Sequence, residues 1–158
     1  MLAALAALAA CSADSPESYG ARSPCAALAL TVTGASVAQR DGIAGAIALW
    51  HDRGVSAFDD AAAGAPDAAA DALEIRFDAA AATFHGIYDP AAGRVLINRD
   101  LEPATLGVVI AHELGHVFGL VHVSPDARRS LMNPGNLSTP PTDDDQRALE
   151  ARWGACRY

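Results

Sequence analysis

The segment His112-Glu113-Leu114-Gly115-His116-Val117-Phe118-Gly119-Leu120-Val121-His122 gathers three imidazoles and one carboxylate into eleven residues. On a helix, His112 and His116 lie one turn apart on the same face and can reach one metal ion. Glu113 projects about 100° further round. That places it beside the open coordination position and outside the ligand set. Gly119 marks the expected end of the helix, because glycine enters the left-handed region without strain. The chain can then turn sharply and return His122 as a third ligand. Three neutral imidazoles leave the fourth tetrahedral position for water, the arrangement of a catalytic zinc and not of a closed structural one. The chemistry predicted is hydrolysis by a metal-activated water, with Glu113 as general base. Three of the chain's five histidines fall in this one window, so an incidental scatter explains them poorly. His51 and His85, outside it, read as surface or structural residues.

Such a site needs a helix to carry it and a scaffold to hold the returning loop. Pro103 to Phe118 supplies the helix, with Pro early and an apolar face of Leu106, Val109, Ile110, Leu114 and Val117. Upstream, Ala26–Thr33 alternates as a first strand, and Ser36 to Arg53 spaces Val37, Ile43, Ala44, Ile47 and Trp50 as a helix that Gly54 stops. Val55–Phe58 suggests a short strand, followed by an acidic, Ala-rich connection. Leu73–Phe77 alternates as a half-buried strand. Thr83–Tyr88 and Arg94–Asn98 read as two more, joined as a hairpin across Asp89-Pro90-Ala91-Ala92-Gly93. Thr142 is placed to cap a last helix running to about Trp153, with Asp143, Asp144 and Asp145 in the first turn, where the macrodipole favours them. This acidic triplet reads first as a helix N-terminus; calcium there is possible but not indicated. Trp50 and Trp153 both fall on helices and read as packing residues. The expected class is α+β, a twisted sheet packed on helices.

The pattern HExxHxxGxxH resembles that of the metzincin zinc metallopeptidases. Ser130-Leu131-Met132-Asn133-Pro134 is similar to the matrixin form of their Met-turn, a methionine in a tight turn beneath the zinc-binding histidines. The closing segment from Leu137-Ser138 to Trp153-Gly154 also resembles a matrixin end. The likeness spans Leu73–Gly154, and more loosely the earlier helix around Ala48-Leu49-Trp50. It departs where Val123 follows His122, a position usually held by Ser or Asp, and where no tyrosine follows Met132.

The resemblance implies a zincin domain with a mixed sheet, an antiparallel edge strand, an active-site helix, the Met-turn and a C-terminal helix. It also implies an endopeptidase that uses one Zn2+ held by His112, His116 and His122, with Glu113 catalytic and Met132 beneath. Substrate would be a protein or peptide lying extended and antiparallel to the edge strand. Thr83, Phe84, His85, Gly86 and Ile87 would then contact it, and Pro134, Gly135 and Asn136 would wall the pocket for the residue after the cut. The alternatives are a catalytically silent zinc-binding or peptide-binding domain of the cell envelope, against which the intact Glu113 counts, and an envelope-tethered adhesion module.

The whole chain sets broader bounds. Its 158 residues suit a single folded unit, and 51% hydrophobic residues allow a sizeable core. A net charge of −8 offers no basic stripe for phosphates and argues against a nucleic-acid partner. Met1–Ala10 is apolar and runs into Leu8-Ala9-Ala10-Cys11, which resembles a bacterial lipobox, and the following polar, Ser- and Pro-containing stretch resembles a tether. The expectation is residues 1–24 as a signal or lipoprotein-like segment with a flexible tether, and 25–158 as the metallopeptidase domain. The protein would then be exported, either anchored to a bacterial envelope through lipidated Cys11 or secreted, and monomeric. If Cys11 is lipidated or removed, Cys25 and Cys156 remain as an even pair. They either staple the two ends, worth up to about 4–5 kcal/mol in the loop-entropy model, or stay as two buried thiols.

Overall fold

Alternation in Leu73-Glu74-Ile75-Arg76-Phe77 buries Leu73, Ile75 and Phe77 on one face of strand β2 (Leu73–Asp78). The same pattern in β4 (Arg94–Asn98) buries Val95 and Ile97. These two strands form the centre of a four-stranded sheet in a computed structural model that describes residues 21–58 and 72–157. β1 (Leu30–Thr33) runs parallel to β2, and β2 runs parallel to β4. β3 (Gly86–Asp89) closes one edge antiparallel to β4, with Gly86 opposite Ile97 and Asp89 opposite Arg94. The sheet is therefore mixed, with the expected antiparallel strand at an edge, and the architecture is α+β.

Three helices complete the described residues: α1 (Val37–His51), α2 (Pro103–Val117) and α3 (Asp143–Trp153). Ser36 caps α1 and forms a reciprocal capping box with Gln39. Pro103 opens α2, where its missing N–H would have had no intrahelical partner. Thr142 caps α3 and shares its own box with Asp145. Helix α2 packs against α1 on one side and against β3 and β4 on another. The α1–α2 approach is close because it runs over small residues. A Cβ on Gly42 would lie 2.8 Å from the Leu106 Cβ, and Gly107 faces the Gly42 carbonyl at 3.7 Å.

That close approach corrects the face expected for α1. Ile43 and Trp50 are buried with Gln39, Gly42 and Ala46, whereas Val37 is 68% exposed and Ala44 is also exposed. Where the helices cross, Leu106 and Ile110 of α2 take the space that a side chain at position 42 would need. The strand expected at Val55–Phe58 is also absent. The Ser56 and Ala57 amides both donate to the Pro24 carbonyl, and Leu28 N–H donates to Ala57 O. Two donors converging on one acceptor break the alternation that a ladder requires. Ala26–Ala29 consequently precedes β1 instead of belonging to it, and Thr83, Phe84 and His85 precede β3.

Trp50 is completely buried, its ring edge-on to Phe118 at 5.9 Å, and its indole N–H donates to the Ala111 carbonyl at 2.8 Å. An aromatic side chain of this size removes about 150–250 Å² from water, worth up to about 4–6 kcal/mol at 25 cal/mol/Å². Cys25 and Cys156 are disulfide-bonded, with Cα atoms 5.1 Å apart. They tie the segment before β1 to the residues after α3. The lipobox-like residues through Cys11 and most of the Ala-rich connection before β2 lie outside the described residues. Among the described residues no helix is long and apolar enough to cross a membrane.

Candidate metal centre

Helix α2 is buried on nearly all sides through its second half, from Val109 to Val117. His112, Glu113 and His116 are therefore carried into the interior, at 6%, 6% and 5% exposure. The helix then stops within one residue. Leu120 N–H donates to Gly115 O and Gly119 N–H to His116 O, with Gly119 at φ 87°. This is the Schellman arrangement, with glycine in the left-handed position. Gly119 also has no room for a side chain, since a Cβ there would lie 2.7 Å from the Ala21 Cβ and 2.9 Å from the Arg152 guanidinium carbon. The reversal brings His122 back over the helix.

The three imidazoles converge. Nε2 of His122 lies 3.1 Å from Nε2 of His112 and 3.2 Å from Nε2 of His116. On the far side of each helical ring, Nδ1–H donates to a main-chain carbonyl: His112 to Leu131 O at 2.8 Å, and His116 to Leu120 O at 2.9 Å. With the proton on Nδ1, each Nε2 presents a lone pair. His122 can donate one Nε2–H to one of them, leaving the other contact lone pair to lone pair. A shared cation removes that repulsion. Zinc–nitrogen bonds of about 2.0–2.1 Å in tetrahedral geometry set nitrogens about 3.3 Å apart, close to the two distances found here. The three histidines lie close together and could hold a metal ion.

Burial prepares the donors. It lowers His112 from 6.5 to about 4 and His116 to about 3, and it lowers His122 as well. All three rings are thus neutral at pH 7, and a metal need displace no proton from them. Burial acts oppositely on Glu113, raising it from 4.5 to about 8, although a hydrogen bond from the Tyr88 main chain opposes the rise. A dication nearby favours the ionised carboxylate.

Met132 lies beneath α2 with 1% exposure. A Cβ on Gly115 would fall 2.6 Å from its Sδ, so the glycine inside the histidine motif is the space the methionine occupies. The loop after His122 is clamped to this turn. Val123 N–H donates to Met132 O at 3.0 Å, and the Asn133 amide donates to Val123 O at 2.8 Å and to Arg128 O at 3.0 Å.

The residue that sequence reasoning did not single out is Asp145. It is 1% exposed and accepts from Ser130 Oγ, from Leu131 N–H at 2.9 Å, and from Thr142 N–H at 2.9 Å and Oγ at 2.8 Å. Leu131 is thus held at its amide by Asp145, while its carbonyl accepts from both His112 Nδ1–H and the Asn136 amide. The signal was present as the Thr142…Asp145 capping-box spacing, but a box does not reveal that the second carboxylate oxygen reaches another loop. Asp143 instead pairs with Arg53, and Asp144 with Arg147, on the surface.

The expected substrate-contacting residues divide. Gly86 and Ile87 lie in β3 beside α2, Gly86 within 3.1–3.2 Å of Glu113 by its virtual Cβ. Thr83 is exposed, and Phe84 and His85 are half-buried before the strand. Pro134 and Gly135 are exposed just past Met132, and the Asn136 side chain is committed to the Leu131 and Thr139 carbonyls. His51 is exposed at the end of α1 and is not among the clustered histidines. A separate hollow of about 210 Å³ lies at the disulfide end, lined by Pro24, Arg53, Leu149 and Cys156, and none of the three clustered histidines borders it. The chain matches no protein-family model and no curated protein.

Proposed function

We propose that this protein is a zinc-dependent endopeptidase of the metzincin type. The observation that carries the reading is the convergence of three neutral imidazole Nε2 atoms, with Glu113 buried on the residue that follows His112 in the same helix. His112, His116 and His122 would hold the ion. When bound, zinc supplies Lewis-acid polarisation of the scissile carbonyl and acidifies the attacking water. Glu113 accepts the proton from that water as its oxygen bonds to the carbonyl carbon. It then delivers the proton to the amide nitrogen as the C–N bond breaks. The outer edge of β3 receives the peptide as an added antiparallel strand, so the scissile bond is presented beside Glu113. Residues 134–136 border the product side. Helix α2 buries its motif residues and keeps the site poor in water, where fixed charges act more strongly than in bulk.

The same reading places the chain outside the cytoplasm, anchored through Cys11 or released, and acting as a monomer. The Cys25–Cys156 disulfide supports an oxidising compartment. A quenched-fluorescence peptide library tests the activity, using the zinc-loaded full chain beside Glu113→Gln. The parent should cleave and lose activity to a chelator. The variant should keep about one zinc and lose on the order of 10²–10⁴ in rate. Zinc bound without cleavage by the parent would instead favour a silent binding domain.

A further inference from the structure

Strand β3 ends the sheet, and its register with β4 fixes which of its main-chain groups face outward. Asn98 N–H donates to His85 O, so the His85–Asn98 pair is hydrogen-bonded and the next pair, Gly86–Ile97, is not. Alternation then directs the N–H and C=O of Gly86 and Tyr88 away from β4, towards the side where a further strand would add. The Tyr88 side chain is buried and Ile87 is 48% exposed, as the pleat requires. The outward Tyr88 main chain offers a hydrogen bond to the Glu113 carboxyl group. At Gly86 the same side chain crowds the position of a Cβ, which would stand 3.0 Å from Ile97 Cδ1, 3.1 Å from Glu113 Cγ and 3.2 Å from Oε1. Gly86 has no positive φ to explain it. Its lack of a side chain is explained by what lies against it.

We infer that Gly86 and the Tyr88 main-chain amide are positioning groups for the general base, so that the strand that docks the peptide also fixes the orientation of Glu113. This rests on reading Glu113 as the base of a peptidase. A glutamate at the end of two methylenes has several rotamers, and general-base catalysis needs one of them within hydrogen-bond reach of the attacking water. The empty side of Gly86 admits the chain of Glu113, and the Tyr88 N–H holds one carboxylate oxygen, leaving the other to accept the proton. An added peptide strand would pair with the remaining outward groups, the Gly86 N–H and C=O and the Tyr88 C=O, beside the base that the Tyr88 N–H holds.

The test is Gly86→Ala in the zinc-loaded full chain, read in two ways. Against a cleavable peptide, kcat should fall on the order of 10²-fold, as for a misplacement of about 1 Å, with KM changed less than about threefold and zinc retained. An unchanged kcat, or an effect confined to KM, would overturn the inference. The second reading needs no activity. Gly86→Ala should lower the melting temperature by about 2–4 °C in the parent but by no more than about 1 °C in Glu113→Ala, where the opposing side chain is gone. Failure to fold in the parent with recovery in Glu113→Ala supports the inference too. Equal effects in both backgrounds, or failure to fold in both, would assign the crowding to Ile97 and overturn it. If the parent cuts no peptide at all, the proposed function fails, whereas the thermal comparison still decides the Gly86–Glu113 contact.

Discussion

At the scale of single residues, the three-histidine cluster is supported by groups that never reach it. Asp145 holds the Leu131 amide, Leu131 O orients His112, and the whole chain of bonds lies in the interior. Partners of this kind fix ring tautomer and orientation, and their loss commonly costs 10–100-fold in metal affinity. Asp145→Asn should therefore weaken zinc binding by about 10–100-fold, measured by competition with a chelator, while Asp143→Asn on the same turn leaves it unchanged. Equal affinities for the two variants would reduce Asp145 to a helix cap.

The titrating groups give a second expectation, for the metal-free chain. Between about pH 4 and 6.5, His112 and His116 are neutral when folded and protonated when unfolded, so unfolding takes up two protons. From 4.5 to about 8, Glu113 is protonated when folded and ionised when unfolded, so unfolding releases one. The net is uptake of about one proton below pH 6.5 and release of about one above it. His122 adds to the uptake. Stability to urea in the presence of a chelator should rise with pH up to about 6.5 and then decline towards 8. A profile that rises steadily through that range would contradict the assigned environment of Glu113.

At the scale of elements, the histidine window is usable because α2 ends abruptly. Gly119→Ala would place a side chain in the left-handed region and against Ala21 and Arg152. The conformational cost alone is roughly 1–2 kcal/mol, so the urea midpoint should fall by at least that equivalent with little change in slope. The regular elements were legible where patterning is strong. The residues expected on the buried face of α2, the bounds of β4, and a hairpin joining β4 to the strand before it correspond to what the structure holds, although that strand runs from Gly86 to Asp89 and not from Thr83 to Tyr88. Legibility failed where tertiary contact decides. Val37 and Ala44 fit a helical stripe, yet the seam with α2 selects Gly42 and Ala46. Val55–Phe58 looks like a strand, but its partner segment at 24–28 offers no ladder. In the site, the residue types and spacing of the three histidines announced a cluster that could hold a metal ion, whereas the bond from Asp145 to the Leu131 loop and the packing of Glu113 against Gly86 join residues distant in sequence.

At the scale of the whole molecule, the two ends of the fold meet behind the site. The Arg22 amide donates to Val117 O, the Trp153 indole N–H donates to Phe118 O, and Cys25–Cys156 closes the join. Replacing both cysteines with serine should lower unfolding free energy by about 2–5 kcal/mol, seen as an earlier urea midpoint. No loss would show that these contacts hold the ends without the covalent link. The central claim concerns the ion itself: that His112, His116 and His122 hold one zinc and leave a position open. The most direct measurement is X-ray absorption at the zinc edge on the full chain reconstituted with one equivalent. The account predicts three imidazole nitrogens at about 2.0–2.1 Å and one further light-atom ligand. Fewer than three imidazoles, a sulfur ligand, or a chain that retains no zinc would contradict it.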